Sequence, residues 1–241
     1  MWLYVRVQDP EAYYRDGPDS HAAKVKARLE EVSGERCLIV PYREFGLSAV
    51  EELRPRAIVM SGFGGRWQSY KVEWFLGMDE VLHGVDLPIL CICGSHQLLG
   101  FSFSLNLRST PLLEDQLMRR LQPDEDFPRR ARSGPDEELS HYYLADGFFP
   151  IFRVAEDPLF AGLPERMIMR CSHYCEVKEL PSGFQLLASS GHCRIEAMRH
   201  VSRPLYGIQF HAEAYEEPFL DGRKLLANFA TIVEGFWRGS R

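Results

Sequence analysis

Long apolar runs are missing from this 241-residue sequence, so no stretch of it reads as a membrane-spanning helix. A basic excess is missing too. The 28 Lys and Arg are outnumbered by 34 Asp and Glu, for a formal charge of −6. Nucleic acid and anionic membranes select for basic faces, so neither is an expected partner, and small molecules or protein remain. Cysteine is sparse: Cys37, Cys91, Cys93, Cys171, Cys175 and Cys193 are too dispersed for a disulfide scaffold, and reduced thiols are expected. Cys171 and Cys175 with His173 between them suggest zinc, but no second ligand pair of matching spacing accompanies them. Neither a metal nor a cofactor is therefore expected. The opening MWLYVRVQDP lacks the basic and then apolar segments of a signal peptide; it reads as a first strand, and a cytoplasmic location follows. There is no internal repeat.

Hydrophobic residues make up 45% of the chain, ample for one buried core. Near-continuous apolar runs at 2–7, 37–42, 57–62 and 88–93 read as strands. Helical periodicity lies between them at 20–33, through Ala22, Val25, Leu29 and Val32 before Gly34, and again at about 70–83. This alternation predicts an α/β fold, a doubly wound and mostly parallel sheet with helices on both faces, as a single domain over 1–241. Ligands then gather at the carboxyl ends of the strands. Residues 101–140 are charged and rich in Pro and Arg, with a short helix expected near 112–121; they read as an insertion or lid, with a plain solvated loop as the alternative. From 143 the chain is β-rich again, and a final amphipathic helix is expected over 222–237.

Two stretches carry chemistry. In Pro88-Ile-Leu-Cys-Ile-Cys-Gly-Ser-His-Gln97 an apolar strand runs into small residues and a helix. A cysteine at such a turn is held out of the sheet beside helix N-terminal amides, which favour a thiolate and can stabilise an oxyanion. Cys93 occupies that position. In Tyr206-Gly-Ile-Gln-Phe-His-Ala-Glu213 a strand delivers His211 and, two residues on, Glu213. A thiol nucleophile needs a base, and the base needs a carboxylate to fix its tautomer. Strand alternation would place both side chains on one face.

Together these stretches resemble the class I, triad-type glutamine amidotransferases, whose nucleophile turn reads P-[VI]-L-G-[IV]-C-x-G-H-Q and whose base strand reads G-[VI]-Q-F-H-P-E. Further matches follow in the family's order. They are Ser61-Gly62 after the strand AIVM, Asp157-Pro-Leu-Phe-Ala-Gly-Leu-Pro164, and Ser172-His173 with Val177, Leu180-Pro181 and Gly183-Phe184 against S-H-x-D-x-V-x-x-L-P-x-G-F. The resemblance implies a flavodoxin-like fold and a thiol amidohydrolase. Cys93 would attack the side-chain amide of glutamine, His211 would serve as base, and Glu213 would orient it. Gly94 and the Gly62-Phe63 loop would supply the oxyanion hole, while Gln97, Ser172 and Tyr174 would contact substrate. Ammonia would pass to a separate synthetase. A freestanding γ-glutamyl hydrolase and a catalytically silent binding module are the alternatives. The sequence departs from the family where Cys91 and Ser95 replace glycines, where Phe63 stands in the oxyanion loop, and where Ala212 replaces proline.

Overall fold

The computed structural model describes residues 1–8, 20–125 and 139–239. Nine strands form one sheet in the order β2-β1-β3-β4-β9-β8-β7-β5-β6. Strands β1 (Trp2–Arg6), β2 (Cys37–Pro41), β3 (Ala57–Met60), β4 (Ile89–Ile92) and β9 (Leu205–Ile208) pair in parallel. The far side, β5 (Ala145–Arg153), β6 (Arg166–His173), β7 (Phe184–Ser189) and β8 (Ala197–His200), is antiparallel throughout.

Alternate residues of the parallel strands feed two cores, which is why these runs are apolar without a polar face. On one face Trp2, Tyr4, Val59, Leu90 and Ile92 pack with α1 (His21–Ser33) and α5 (Asp221–Gly239), through Val25, Leu29, Leu226 and Phe229. On the other, Leu3, Val5, Met60, Ile89 and Cys91 meet α3 (Leu76–Gly84) and α4 (Gly94–Ser104), through Met78, Val81, Leu98 and Leu99. A short helix, α2 (Leu47–Leu53), lies on this second face with Ala49, Val50 and Leu53 half-buried. Helix α1 begins where the Ser20 side chain accepts from the Ala23 N–H at 3.2 Å and ends at Gly34, whose φ of 67° suits glycine. Among the described residues no helix is long and apolar enough to cross a membrane.

The helix expected at 112–121 is absent. That segment is extended, bridging Leu117 to Cys175 and Arg120 to Tyr142, with the Met118 N–H on the Tyr174 carbonyl at 2.8 Å. Pairing with the chain beyond β6 satisfies its backbone, and burial of Leu113 and Met118 anchors its side chains, so tertiary contacts override local helix propensity. The expected insertion also begins too early, since Phe101–Ser104 complete α4. Its stretch from 126 to 138 lies outside the described residues. The helix expected at 70–83 is α-helical only over Leu76–Gly84, preceded by two 3-10 turns at Trp67–Ser69 and Val72–Phe75. The short α2 escapes the periodicity because it buries none of its residues fully.

Candidate active site

Strand β4 ends at Ile92 and α4 starts at Gly94, leaving Cys93 alone at the turn with φ 50° and ψ −107°. A residue with a Cβ rarely adopts that conformation, and it is the one expected of a nucleophile pushed out of the sheet. The Cys93 N–H donates to the Ile208 carbonyl at 2.7 Å, which pins the turn to β9. The two residues standing where the family has glycine are accommodated differently. Ser95 is fully buried, and its hydroxyl donates to the Ser61 carbonyl at 2.6 Å, tying the helix start to the neighbouring loop. Cys91 points to the opposite face, its sulfur 4.0 Å from that of Met60, and complete burial pushes its thiol far above the usual range.

The partner side chains arrive from the end of β9. The strand stops at Ile208, and Glu213 lies in a 3-10 turn over Ala212–Ala214, not on the strand that alternation suggested. The pairing still forms: His211 Nδ1 is 2.7 Å from Glu213 Oε1. That contact leaves Nε2 as the ring nitrogen free to exchange a proton with a thiol. The ring also interacts with Cys93. Burial would lower the His211 pKa, but the negative charges of Glu213 and Cys93 outweigh it and raise the value well above the ordinary 6.5. Burial likewise pushes Glu213 up, and the His211 charge and hydrogen bond reverse this to leave its pKa below the ordinary value. Arg28, from α1, holds the turn in place, donating to the backbone carbonyls of Glu213 and Tyr215 and lying 4.1 Å above the Tyr215 ring.

Gly62 closes over the pair. A Cβ there would lie 2.9 Å from His211 Cε1 and 3.1 Å from Cys93 Cβ, so the glycine is required by space. Phe63 turns its ring onto Gly94, where a Cβ would meet it at 2.5 Å, and stacks edge-on against Trp67 with centroids 4.6 Å apart. Gly94 and Ser95 are the first residues of α4, whose leading N–H groups have no acceptor within the helix. They lie beside the sulfur, where an oxyanion would form.

In front of Cys93 lies a cavity of about 580 Å³, lined by Phe63, Trp67, Gln97, Asp146, Arg170 and Tyr174 among others. The three residues expected to contact substrate all border it, but in different states. Gln97 is hydrogen-bonded within the protein: its Oε1 accepts from Trp67 Nε1 at 2.9 Å, and its Nε2 donates to the Cys175 carbonyl at 3.0 Å and to Gln209 Oε1 at 3.3 Å. Tyr174 donates its hydroxyl to the Gly65 carbonyl at 2.7 Å. Ser172 is exposed, and its carbonyl lies 4.0 Å from the Cys93 sulfur.

Several site residues carry no signal in the sequence. Gln209 reads as part of a strand, yet its Nε2 lies 3.6 Å from the Cys93 sulfur. Asp146 and Arg170 form an ion pair at 2.6 Å on the cavity wall, Asp146 sitting opposite Ser172 in the β5–β6 register. This pair brings charge to a wall where Cys175 stands in place of the aspartate of S-H-x-D. Their separation in sequence hides them.

A cysteine at a strained strand-to-helix turn, an imidazole fixed by a buried carboxylate, and helix amides beside the sulfur define an α/β thiol amidohydrolase. Residues 18–233 match the family model "Glutamine amidotransferase class-I". The chain belongs to the class I glutamine amidotransferase family. The glutamine-hydrolysing subunit of a GMP synthase from Thermococcus kodakarensis is 32% identical over 187 residues, 77% of this chain and 80% of that one. Its counterpart from Methanosphaera stadtmanae is 26% identical over 213 residues, 88% of this chain and 92% of that one. Among solved structures, a Thermoplasma acidophilum protein provisionally described as a GMP synthase subunit superposes with a TM-score of 0.70 at 21% identity, covering 100% of this chain and 97% of that one. At that identity the superposition establishes the fold.

Proposed function

We propose that this chain is a glutaminase subunit that releases ammonia from glutamine for a separate synthetase of the kind that aminates a purine nucleotide to GMP. The observation that carries the reading is the convergence of Cys93, His211 and Glu213 beneath Gly62 at the mouth of a polar cavity. Cys93, as its thiolate, attacks the side-chain amide carbon of glutamine, and the developing oxyanion is met by the Gly94 N–H and an N–H of the Gly62-Phe63 loop. His211 delivers the proton to the leaving ammonia. It then takes a proton from the water that attacks the γ-glutamyl thioester, releasing glutamate and restoring the thiol. Glu213 holds the ring in the required tautomer and balances the imidazolium charge without itself becoming protonated.

Gln97 acts chiefly through Gln209 and the Cys175 carbonyl, shaping the floor of the cavity. Arg170 and Asp146 supply opposite charges for the α-carboxylate and α-amino groups of glutamine, a role suited to a pair already facing the cavity. Six free cysteines and a single sheet favour a cytoplasmic, one-domain subunit. The test is ammonia and glutamate release from glutamine and from a panel of γ-glutamyl amides, with and without the synthetase. Glutamine-selective release that increases with the synthetase present is expected. Equal or better release from bulky γ-glutamyl amides without any partner would overturn the reading in favour of a freestanding hydrolase.

A further inference from the structure

Behind the cavity wall lies a second cluster that the glutaminase chemistry does not use. Cys171 and His173 project from the same side of β6, two residues apart. His192 comes from the turn after β7, and Glu196 immediately precedes β8. One ligand atom from each lies within 4.8 Å of the others. All four side chains are buried or nearly so, Glu196 completely.

These groups lack the partners that burial demands. His173 Nε2, His192 Nε2 and both carboxylate oxygens of Glu196 are buried without a hydrogen bond. The nearest approach among them, His192 Nε2 to Glu196 Oε1, is 3.4 Å. The tautomer of His173 is fixed by its other nitrogen: Nδ1 is 3.0 Å from the Cys175 carbonyl, which can only accept, so Nδ1 carries the proton and Nε2 presents a lone pair. A buried carboxylate left unpaired is costly, and several unpaired atoms converging on one point call for a shared partner.

We propose that Cys171, His173, His192 and Glu196 bind a zinc ion. One thiolate, one carboxylate and two neutral imidazoles form a four-coordinate donor set of the kind zinc prefers. The two anions cancel the 2+ charge, which makes the site neutral and therefore tolerable in the interior. Bonds of about 2.0–2.3 Å in a tetrahedron place donors about 3.3–3.8 Å apart, so the cluster needs to contract by about 1 Å. A carbonyl holding the far ring nitrogen of a ligating histidine is the usual second support of such a site, and the Cys175 carbonyl supplies it. Sequence spacing argues against zinc because nothing matches Cys171 and Cys175 as a second pair; the fold brings His192 and Glu196 instead, and Cys175 is not a ligand. Ser172, between two of the ligands, carries the carbonyl facing the Cys93 sulfur, so the ion would brace that wall of the cavity.

The test uses tag-free full-length protein, metal analysis, titration of zinc against a chromophoric chelator, and cobalt substitution. Wild type and Cys93→Ala should each hold one zinc per chain, and their cobalt forms should show a tetrahedral spectrum with a thiolate-to-metal charge-transfer band. Cys171→Ser should lose that band, and His192→Gln should bind zinc at least about a hundredfold more weakly. The His192 change lies in a turn and carries the test if Cys171→Ser fails to fold. A wild-type cobalt form without the band, or wild-type affinity no greater than that of His192→Gln, overturns the site. So does a band lost in Cys93→Ala but kept in Cys171→Ser, which would place the metal on the catalytic thiol.

Discussion

Gly62→Ala is the substitution whose outcome the geometry specifies best. The added methyl would lie 2.9 Å from His211 Cε1, 3.1 Å from Cys93 Cβ and 3.7 Å from Cys93 Sγ. Carbon atoms pack comfortably at about 3.5–4.0 Å, so the imidazole must retreat by at least about 0.6 Å. Overpacking of this kind costs about 1–3 kcal/mol, which in a protein of this size lowers Tm by roughly 2–12 °C. Catalysis should suffer more, because a displacement approaching 1 Å in a reacting pair costs about a hundredfold in rate. Gly64 is the internal control: it lies in the same loop, and a Cβ there meets nothing within 4 Å. Steady-state ammonia release and thermal melts on Gly62→Ala and Gly64→Ala make the comparison. Gly62→Ala should remain folded and lose about two orders of magnitude in kcat, while Gly64→Ala stays close to wild type. Full turnover in Gly62→Ala, or equal losses in both variants, would refute the placement of the glycine against the catalytic pair.

Glu213→Gln should slow turnover while leaving Cys93 open to a glutamine-like electrophile. Its stability cost should also depend on pH. The lowered Glu213 pKa contributes stability that is present above the ordinary 4.5 and lost as pH falls through the folded value, whereas the raised His211 pKa contributes stability present below 6.5 and lost as pH rises through its folded value. The gap in Tm between wild type and Glu213→Gln should therefore be widest between those two values and narrow on either side; a gap that keeps growing above neutrality would contradict the assignment. Arg28→Ala, which frees the turn carrying Glu213, should reduce kcat about tenfold without changing labelling of Cys93. Arg170→Ala and Asp146→Asn should raise KM for glutamine at least about tenfold with kcat largely kept, and a fall in kcat alone would remove them from substrate binding. Leu113→Ala should cost about 2–4 kcal/mol in a denaturant titration, because its side chain is buried; a loss under about 0.5 kcal/mol would restore the view of this segment as a detachable lid.

The nucleophile turn and the base strand are legible because each is a local pattern: an apolar strand followed at once by small residues, and a His two positions before a Glu. The parallel half of the sheet is legible for a similar reason, since strands such as Ala57–Met60 and Ile89–Ile92 are buried on both faces and read as unbroken apolar runs. What stays hidden depends on residues distant in sequence. Arg28 reaches Glu213 across 185 positions, Asp146 meets Arg170 across 24, and Cys175 pairs with Leu117 rather than with a metal-ligand partner. The stretch at 112–121 misleads because its extended form is imposed by the neighbouring chain and not by its own residues.

The central claim, that Cys93 forms a γ-glutamyl thioester, is tested most directly by acid-quenching the protein during turnover of glutamine and locating the acyl adduct by peptide mass spectrometry. The account predicts one γ-glutamyl group, on the peptide carrying Cys93, absent from Cys93→Ala together with ammonia release. An adduct found on Cys91, or ammonia release persisting in Cys93→Ala, would contradict it.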